Sequence, residues 1–152
     1  MKKFDIAIIG GGILGTTISY WISNLYDSSV CVIEKESNVA KHTSGRNTGV
    51  VHTPFYLNPE KKRIFAKSAH ISHDLWKTLA KNTMSPWDEI GTIEVALDEI
   101  QYKTLQKYQK WGIQNGVSEN NLSLLDSNEL KQKEKNIEGH SGLLCKSDVS
   151  TD

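Results

Sequence analysis

The residues most suited to chemistry stand near the start of the chain: Gly10-x-Gly12-x-x-Gly15, with Glu34 nineteen positions after Gly15. Each has a physical job. Gly10 permits a tight turn, Gly12 lets a pyrophosphate approach the backbone at a helix N-terminus, and Gly15 lets that helix pack close to a strand. Glu34 is placed to accept hydrogen bonds from a ribose 2′-hydroxyl, and its charge repels a 2′-phosphate. The pattern therefore favours NAD or the adenosine half of FAD over NADP, and its spacing does not choose between those two. A glycine-rich turn without a ligand is the alternative. The strand, helix and acid all in register weigh against it.

A second constellation runs from His42 to His52: Thr43, Ser44, Gly45, Arg46, Asn47, Thr48, Gly49, Val50 and Val51 lie between two histidines. Small and hydrogen-bonding residues of this kind suit a diphosphate and the polar edge of a ring. Other residues invite chemistry less. His70 and His73 share a helical pattern beside Asp74, but no third convergent ligand is evident, so no metal site is expected and both histidines should face solvent. Trp76, Trp87 and Trp111 are expected to pack. Cys31, within an apolar run, is expected to be an inert buried thiol.

The elements that must position these residues can be read from periodicity. Phe4 to Ile9 reads as a buried parallel strand, and Leu14, Ile18, Trp21, Ile22 and Leu25 recur at the spacing of a helix packed on a sheet. Val30 to Ile33 is a second buried strand, which completes a βαβ unit. Residues 35–58, rich in Gly, Ser, Thr, Asn and Pro, read as a long functional loop. Pro59 is placed to open a helix to about Lys81, with Ile64, Ser68, Ile71, Leu75 and Leu79 on one face. A strand follows over Ile90 to Leu97, then a helix from Glu99 to Asn115, capped by Asp98 and ended by Gly116. Leu122 to Leu125 reads as a strand, Asp126 to Glu129 as a capping box before a short helix to Glu134, and Gly142 to Cys145 as a last strand. A boundary near Ser85-Pro86 is expected.

Composition sets the frame. The chain has 152 residues, with 18 Lys+Arg against 18 Asp+Glu. This neutrality gives no reason to expect nucleic acid as a partner. With 38% hydrophobic and 24% charged residues it reads as an ordinary soluble protein. No apolar run has the length of a membrane span or signal segment, and two cysteines make no disulfide framework, so a cytoplasmic location is expected.

Gly10-Gly11-Gly12-Ile13-Leu14-Gly15, Glu34-Lys35-Glu36, and above all Ser44-Gly45-Arg46-Asn47-Thr48-Gly49-Val50-Val51-His52 followed by Tyr56 and Pro59-Glu60 resemble the FAD-dependent D-amino-acid-oxidase-like superfamily. Within it the chain looks most like the glycerol-3-phosphate dehydrogenases and oxidases and the L-2-hydroxyglutarate dehydrogenases. Ile90 to Ala96 and Leu130 to Asp152 look like the start of that family's substrate domain. The implied fold is α/β: a Rossmann-like FAD-binding βαβ unit, incomplete, in residues 1–85, followed over 86–152 by the first part of an α+β substrate domain. Relatives continue beyond the position of Asp152, so the chain is expected to be an amino-terminal portion that needs its missing half or a companion chain.

The resemblance implies FAD rather than NAD. Carried over residue by residue, the cofactor-binding turn is Gly10, Gly12, Ile13, Leu14 and Gly15, of which the backbone around Gly12 to Leu14 would meet the pyrophosphate, with Glu34 at the adenosine ribose and Lys35 at the adenine side. Thr43, Ser44, Arg46, Asn47, Thr48, Gly49 and Val50 would run along the diphosphate and beneath the isoalloxazine. Some relatives tether the flavin through a His at the position of Arg46, which arginine cannot do. Relatives commonly have glycines after the histidine where this chain has Thr53-Pro54-Phe55, which implies a narrower or differently gated pocket. His52 is the expected catalytic base. Oxidising a small anionic hydroxy compound by hydride transfer to flavin N5 requires removal of the hydroxyl proton, and an imidazole titrating near ~6.5 is matched to neutral pH. The alternatives are a non-catalytic FAD-binding fragment or subunit and an amine-oxidising relative. Membrane contact is expected only if electrons pass to a quinone.

Overall fold

The computed structural model describes residues 2–151. After Thr48 the chain divides into two compact units. In the first, Ile6–Ile9 (β1) and Val30–Ile33 (β2) pair in parallel, with Ile6 opposite Val30 and Ile9 opposite Ile33. They are joined by a helix, Ile13–Leu25 (α1). This is the expected βαβ unit, but neither strand is buried as expected, and α1 turns away from most of the face that periodicity implies, with Ile22 alone of that face half-buried. Leu14, Ile18, Trp21 and Leu25 are exposed, and Gly15 is buried. The cause is the glycine itself: a Cβ on Gly15 would lie 1.9 Å from the Gly10 carbonyl oxygen. Only a residue without a side chain lets α1 approach the turn this closely, so the small-residue face turns inward.

The second unit is built on Thr92–Ala96 (β4), Leu122–Asp126 (β5) and Ser141–Cys145 (β6), an antiparallel sheet in the order β4-β6-β5. Central β6 is buried along its whole length. Val50–Val51 (β3) pairs with Val149–Ser150 (β7), so the expected loop 35–58 contains a short strand as well as two 3-10 turns, Thr43–Gly45 and Pro54–Tyr56. Two-residue strands show no alternation to read.

Two helices flank the sheet region as anticipated. Glu99–Gln114 (α3) is capped by Asp98, whose side chain accepts the Gln101 N–H at 2.8 Å. Ser127–Lys133 (α4) begins with the capping box of Asp126 and Glu129. One cluster of the core joins Phe55, Ala96, Leu105, Val117, Leu122, Leu143 and Cys145, and a second joins Leu125, Leu130 and Leu144. Gly112 on α3 lies against the first: a Cβ there would stand 2.5 Å from Leu122 Cδ1 and 2.9 Å from Phe55 Cβ.

The remaining helix, Arg63–Thr83 (α2), starts four residues after the expected Pro59. Asn58 Oδ1 accepts the N–H groups of Glu60 and Lys61, an alternative turn that delays the helix. Its buried positions are Ala66 and Ala80, while Ile64, Ile71 and Leu75 are exposed. Here polar contacts set the inward face. His70 Nε2 lies 2.5 Å from the Asn115 carbonyl and His73 Nε2 lies 3.1 Å from that of Ser147. The expectation that both face solvent is therefore corrected. No helix among the described residues is long and apolar enough to cross a membrane.

Candidate functional site

In the first unit, the turn after β1 leads into α1 through Gly12, which caps the helix without a side-chain hydrogen bond. A helix N-terminus leaves its first N–H groups without intrahelical acceptors. Ser44 Oγ accepts that of Ile13 at 2.9 Å, while no acidic residue stands in the first turn to repel an anion. A Cβ on Gly12 would come to 3.0 Å from Ser44 Oγ, filling the space between helix start and the 43–45 turn. Ser44 thus narrows the cradle and adds a hydroxyl to it.

Glu34 follows β2 and is braced by backbone. Its carboxylate accepts the Glu36 N–H at 3.0 Å through Oε1, and the Gly11 N–H through Oε2. These two donors, Glu36 foremost, hold its carboxyl below the ordinary carboxylate value. An ionised, fixed carboxylate beside a glycine turn has the chemistry to accept from ribose hydroxyls. The donor set and the open glycine surface fit an adenine dinucleotide such as FAD.

The other expected contacts of this unit are distributed around the turn. Gly10, Gly12, Ile13, Leu14 and Gly15 form it, Glu34 stands beside it, and Ser44 reaches it. Lys35 points along the exposed surface, its Nζ 3.4 Å from Glu36 Oε1. Thr43, Arg46, Asn47 and Thr48 are exposed on the loop. Gly49 and Val50 belong to the second unit, where Gly49 accepts the Thr151 N–H and Val50 faces Ser150.

In the second unit, His52 follows β3 and meets a residue 96 positions away. Its Nδ1 lies 2.7 Å from Oδ2 of Asp148, whose side chain is fully buried. Oδ2 also accepts the Thr92 hydroxyl at 2.8 Å. Oδ1 accepts the N–H and the hydroxyl of Thr53, both at 2.7 Å, and the Cys145 thiol at 3.4 Å. Burial alone would raise the Asp148 pKa, but hydrogen bonds from His52, Thr53 and Thr92 outweigh it and hold the carboxyl below its ordinary value. Conversely, the Asp148 hydrogen bond lifts His52 above the ordinary imidazole value, against an opposing effect of burial. The Tyr56 ring stands edge-on to His52 at 5.8 Å.

Asp148 escaped the sequence reading. Lys146-Ser147-Asp148-Val149-Ser150 carries no periodicity, and its one signal is a lone acid among small polar residues just after an apolar strand. Thr92 and Cys145 are recruited to the same carboxylate by the register that sets Thr92 opposite Cys145.

Comparison with known proteins gives this geometry its context. Residues 5–152 match the FAD dependent oxidoreductase family (DAO), and the chain belongs to it. The family is FAD-dependent. A glycerol 3-phosphate dehydrogenase from Caloramator mitchellensis is 33% identical over 136 residues, covering 88% of this chain and 27% of the relative. An L-2-hydroxyglutarate dehydrogenase, mitochondrial, from Pongo abelii is 32% identical over 147 residues, or 95% of this chain and 34% of the relative. Among solved structures, the dithionite-reduced L-alpha-glycerophosphate oxidase from Mycoplasma pneumoniae with FAD bound superposes with a TM-score of 0.86 at 29% identity. It covers 100% of this chain and 40% of that one. The chain thus spans about a third of the length of the curated relatives it matches.

Proposed function

We propose that this chain carries the FAD cradle and the base of an oxidoreductase that converts a small anionic hydroxy compound, glycerol 3-phosphate or an L-2-hydroxy acid, to its carbonyl product. Bound flavin supplies the hydride acceptor at N5. The chain's own residues bind it and move the proton. The backbone around Gly12, Ile13 and Leu14 takes the pyrophosphate on the turn that Gly10 and Gly15 make possible, Glu34 takes the ribose and Lys35 the adenine side. Thr43, Ser44, Arg46, Asn47, Thr48, Gly49 and Val50 extend the contact. Residues 1–85 are assigned to the FAD-binding domain and 86–152 to the start of the substrate domain.

The observation that carries the CH–OH reading is the His52–Asp148 pair. A hydroxyl proton is too weakly acidic to leave to water at neutral pH, so alcohol oxidation needs a placed base. An amine can shed its proton to solvent before its C–H bond breaks, and so has less need of one. His52 is half-buried, hydrogen-bonded at Nδ1, and among the described residues has no hydrogen bond at Nε2. The names of the relatives at 32–33% identity support hydroxy substrates in the same direction.

The test is to load the purified chain with FAD and add substrate without oxygen. Loss of the visible flavin bands with glycerol 3-phosphate or L-2-hydroxyglutarate, and not with glycine, is the expected result. Bleaching by amines alone would overturn the reading. The share of the relatives' length that this chain spans favours a second reading, an FAD-binding portion that needs a companion segment for turnover. It predicts flavin that binds and is not bleached by any of these compounds.

A further inference from the structure

We propose that Asp148 is the positioning residue of His52, fixing the imidazole so that Nδ1–H points to the buried carboxylate and the Nε2 lone pair is left for the substrate proton. The inference deepens the reading of His52 as the base and rests on it for its catalytic purpose.

The argument begins with the carboxylate. Five donors converge on Asp148 from separate parts of the second unit: His52 Nδ1, the N–H and hydroxyl of Thr53, the Thr92 hydroxyl on β4 and the Cys145 thiol on β6. A buried carboxylate with this many donors stays ionised and has no freedom to rotate. An ionised oxygen can only accept, so the 2.7 Å contact requires the proton of neutral His52 to sit on Nδ1. The second ring nitrogen is thereby left as the acceptor.

The ring has an aromatic neighbour as well. Tyr56 meets it edge-on with an interplanar angle of 89°. Asn115, just past the end of α3, donates from Nδ2 to the carbonyls of Pro54 at 2.8 Å and Leu57 at 2.7 Å, bracketing the turn that carries Tyr56. The charged and titratable groups facing the imidazole are Asp148 before β7, Glu94 on β4 and Tyr56 from the 54–56 turn. Asp148 and Glu94 both favour the imidazolium. Burial raises the Tyr56 phenol and the nearby Cys145 thiol, so both stay neutral where the histidine titrates.

The decisive measurement needs no turnover. Long-range proton–nitrogen correlation spectra of the full chain, with histidine labelled in both ring nitrogens, report tautomer and titration together. We expect His52 to titrate above 6.5 and, once neutral, to carry its proton on Nδ1. In Asp148→Asn the midpoint should fall toward the ordinary imidazole value and the Nδ1 preference should be lost. Should that variant fail to fold, Thr92→Val keeps the carboxylate but removes one donor from Oδ2, and is expected to keep the tautomer and raise the midpoint. A wild-type His52 that titrates at or below 6.5, or whose neutral proton sits on Nε2, overturns the proposal.

Kinetics of the flavin-loaded chain separate the two ideas. Asp148→Asn should slow flavin reduction at saturating substrate at least about ten-fold, with half-saturation little changed. If His52→Ala does not slow reduction while the Nδ1 tautomer is observed, the base reading fails and takes the catalytic purpose of Asp148 with it, although the pair itself stands. A rate unchanged in Asp148→Asn beside a slowed His52→Ala overturns the positioning role alone.

Discussion

At the scale of single residues the account turns on His52 and Asp148, which the chain keeps 96 positions apart and the second unit brings to 2.7 Å. His52→Ala should slow flavin reduction by about 10²- to 10⁴-fold while leaving FAD retention intact, as stopped-flow absorbance and a flavin-release assay would show. Equal losses in both would make the residue structural. Asp148→Ala strips the acceptor from three side-chain hydroxyl and imidazole partners in a buried setting, and a cost of about 3–5 kcal/mol to the second unit is expected from urea unfolding. The pair also fixes how stability depends on pH. His52 is raised on folding, so its contribution is complete below 6.5 and fades as pH climbs through the folded value. Asp148 is lowered, so its contribution is present above 3.8 and fades as pH falls below that through the folded value. Thermal melts across pH should show both flanks, and Asp148→Asn should remove the upper one and reduce the acid one, to which Glu34 also contributes; a variant that keeps the upper flank would mean that another group is responsible.

At the scale of elements, two glycines decide how helices sit. Gly15→Ala forces a Cβ to within 1.9 Å of the Gly10 carbonyl, so α1 must lift from the turn and FAD affinity should collapse in an equilibrium binding titration. Gly112→Ala presses on Phe55 and Leu122 and should cost about 1–3 kcal/mol in urea unfolding without changing the flavin spectrum. The same elements show what the sequence made legible. The βαβ unit, the caps at Asp98 and Asp126 and the strands of the β4-β6-β5 sheet were readable, because backbone propensity, capping and local spacing determine them. The inward faces of α1 and α2 were not. Close glycine packing rotates the first, and histidine-to-carbonyl bonds made across long sequence separations rotate the second. The candidate site divides in the same way: the glycine turn and Glu34 follow a local pattern, whereas Asp148 becomes a partner of His52 only through tertiary structure.

At the scale of the whole molecule the two units differ in what holds them. Among the described residues every buried hydrophobic side chain lies beyond residue 49, while in the first unit only Gly11 and Gly15 are buried. Amides of β1, α1 and β2 should therefore exchange with solvent faster than those of β4, β5 and β6, since exchange follows local burial. Adding FAD should protect the first group selectively, because a ligand stabilises the state that binds it. Uniform protection of both groups, or none, would place the flavin elsewhere. The neutral charge and the family membership leave the central claim resting on one proton acceptor. The most direct test of it is the rate of anaerobic flavin reduction by glycerol 3-phosphate or L-2-hydroxyglutarate, followed against pH in the FAD-loaded chain. The account predicts a rate that rises with pH through a midpoint above 6.5 and levels off, with His52→Ala slow and without that rise. A wild-type rate independent of pH across that range, or a His52→Ala profile that matches wild type, would contradict it.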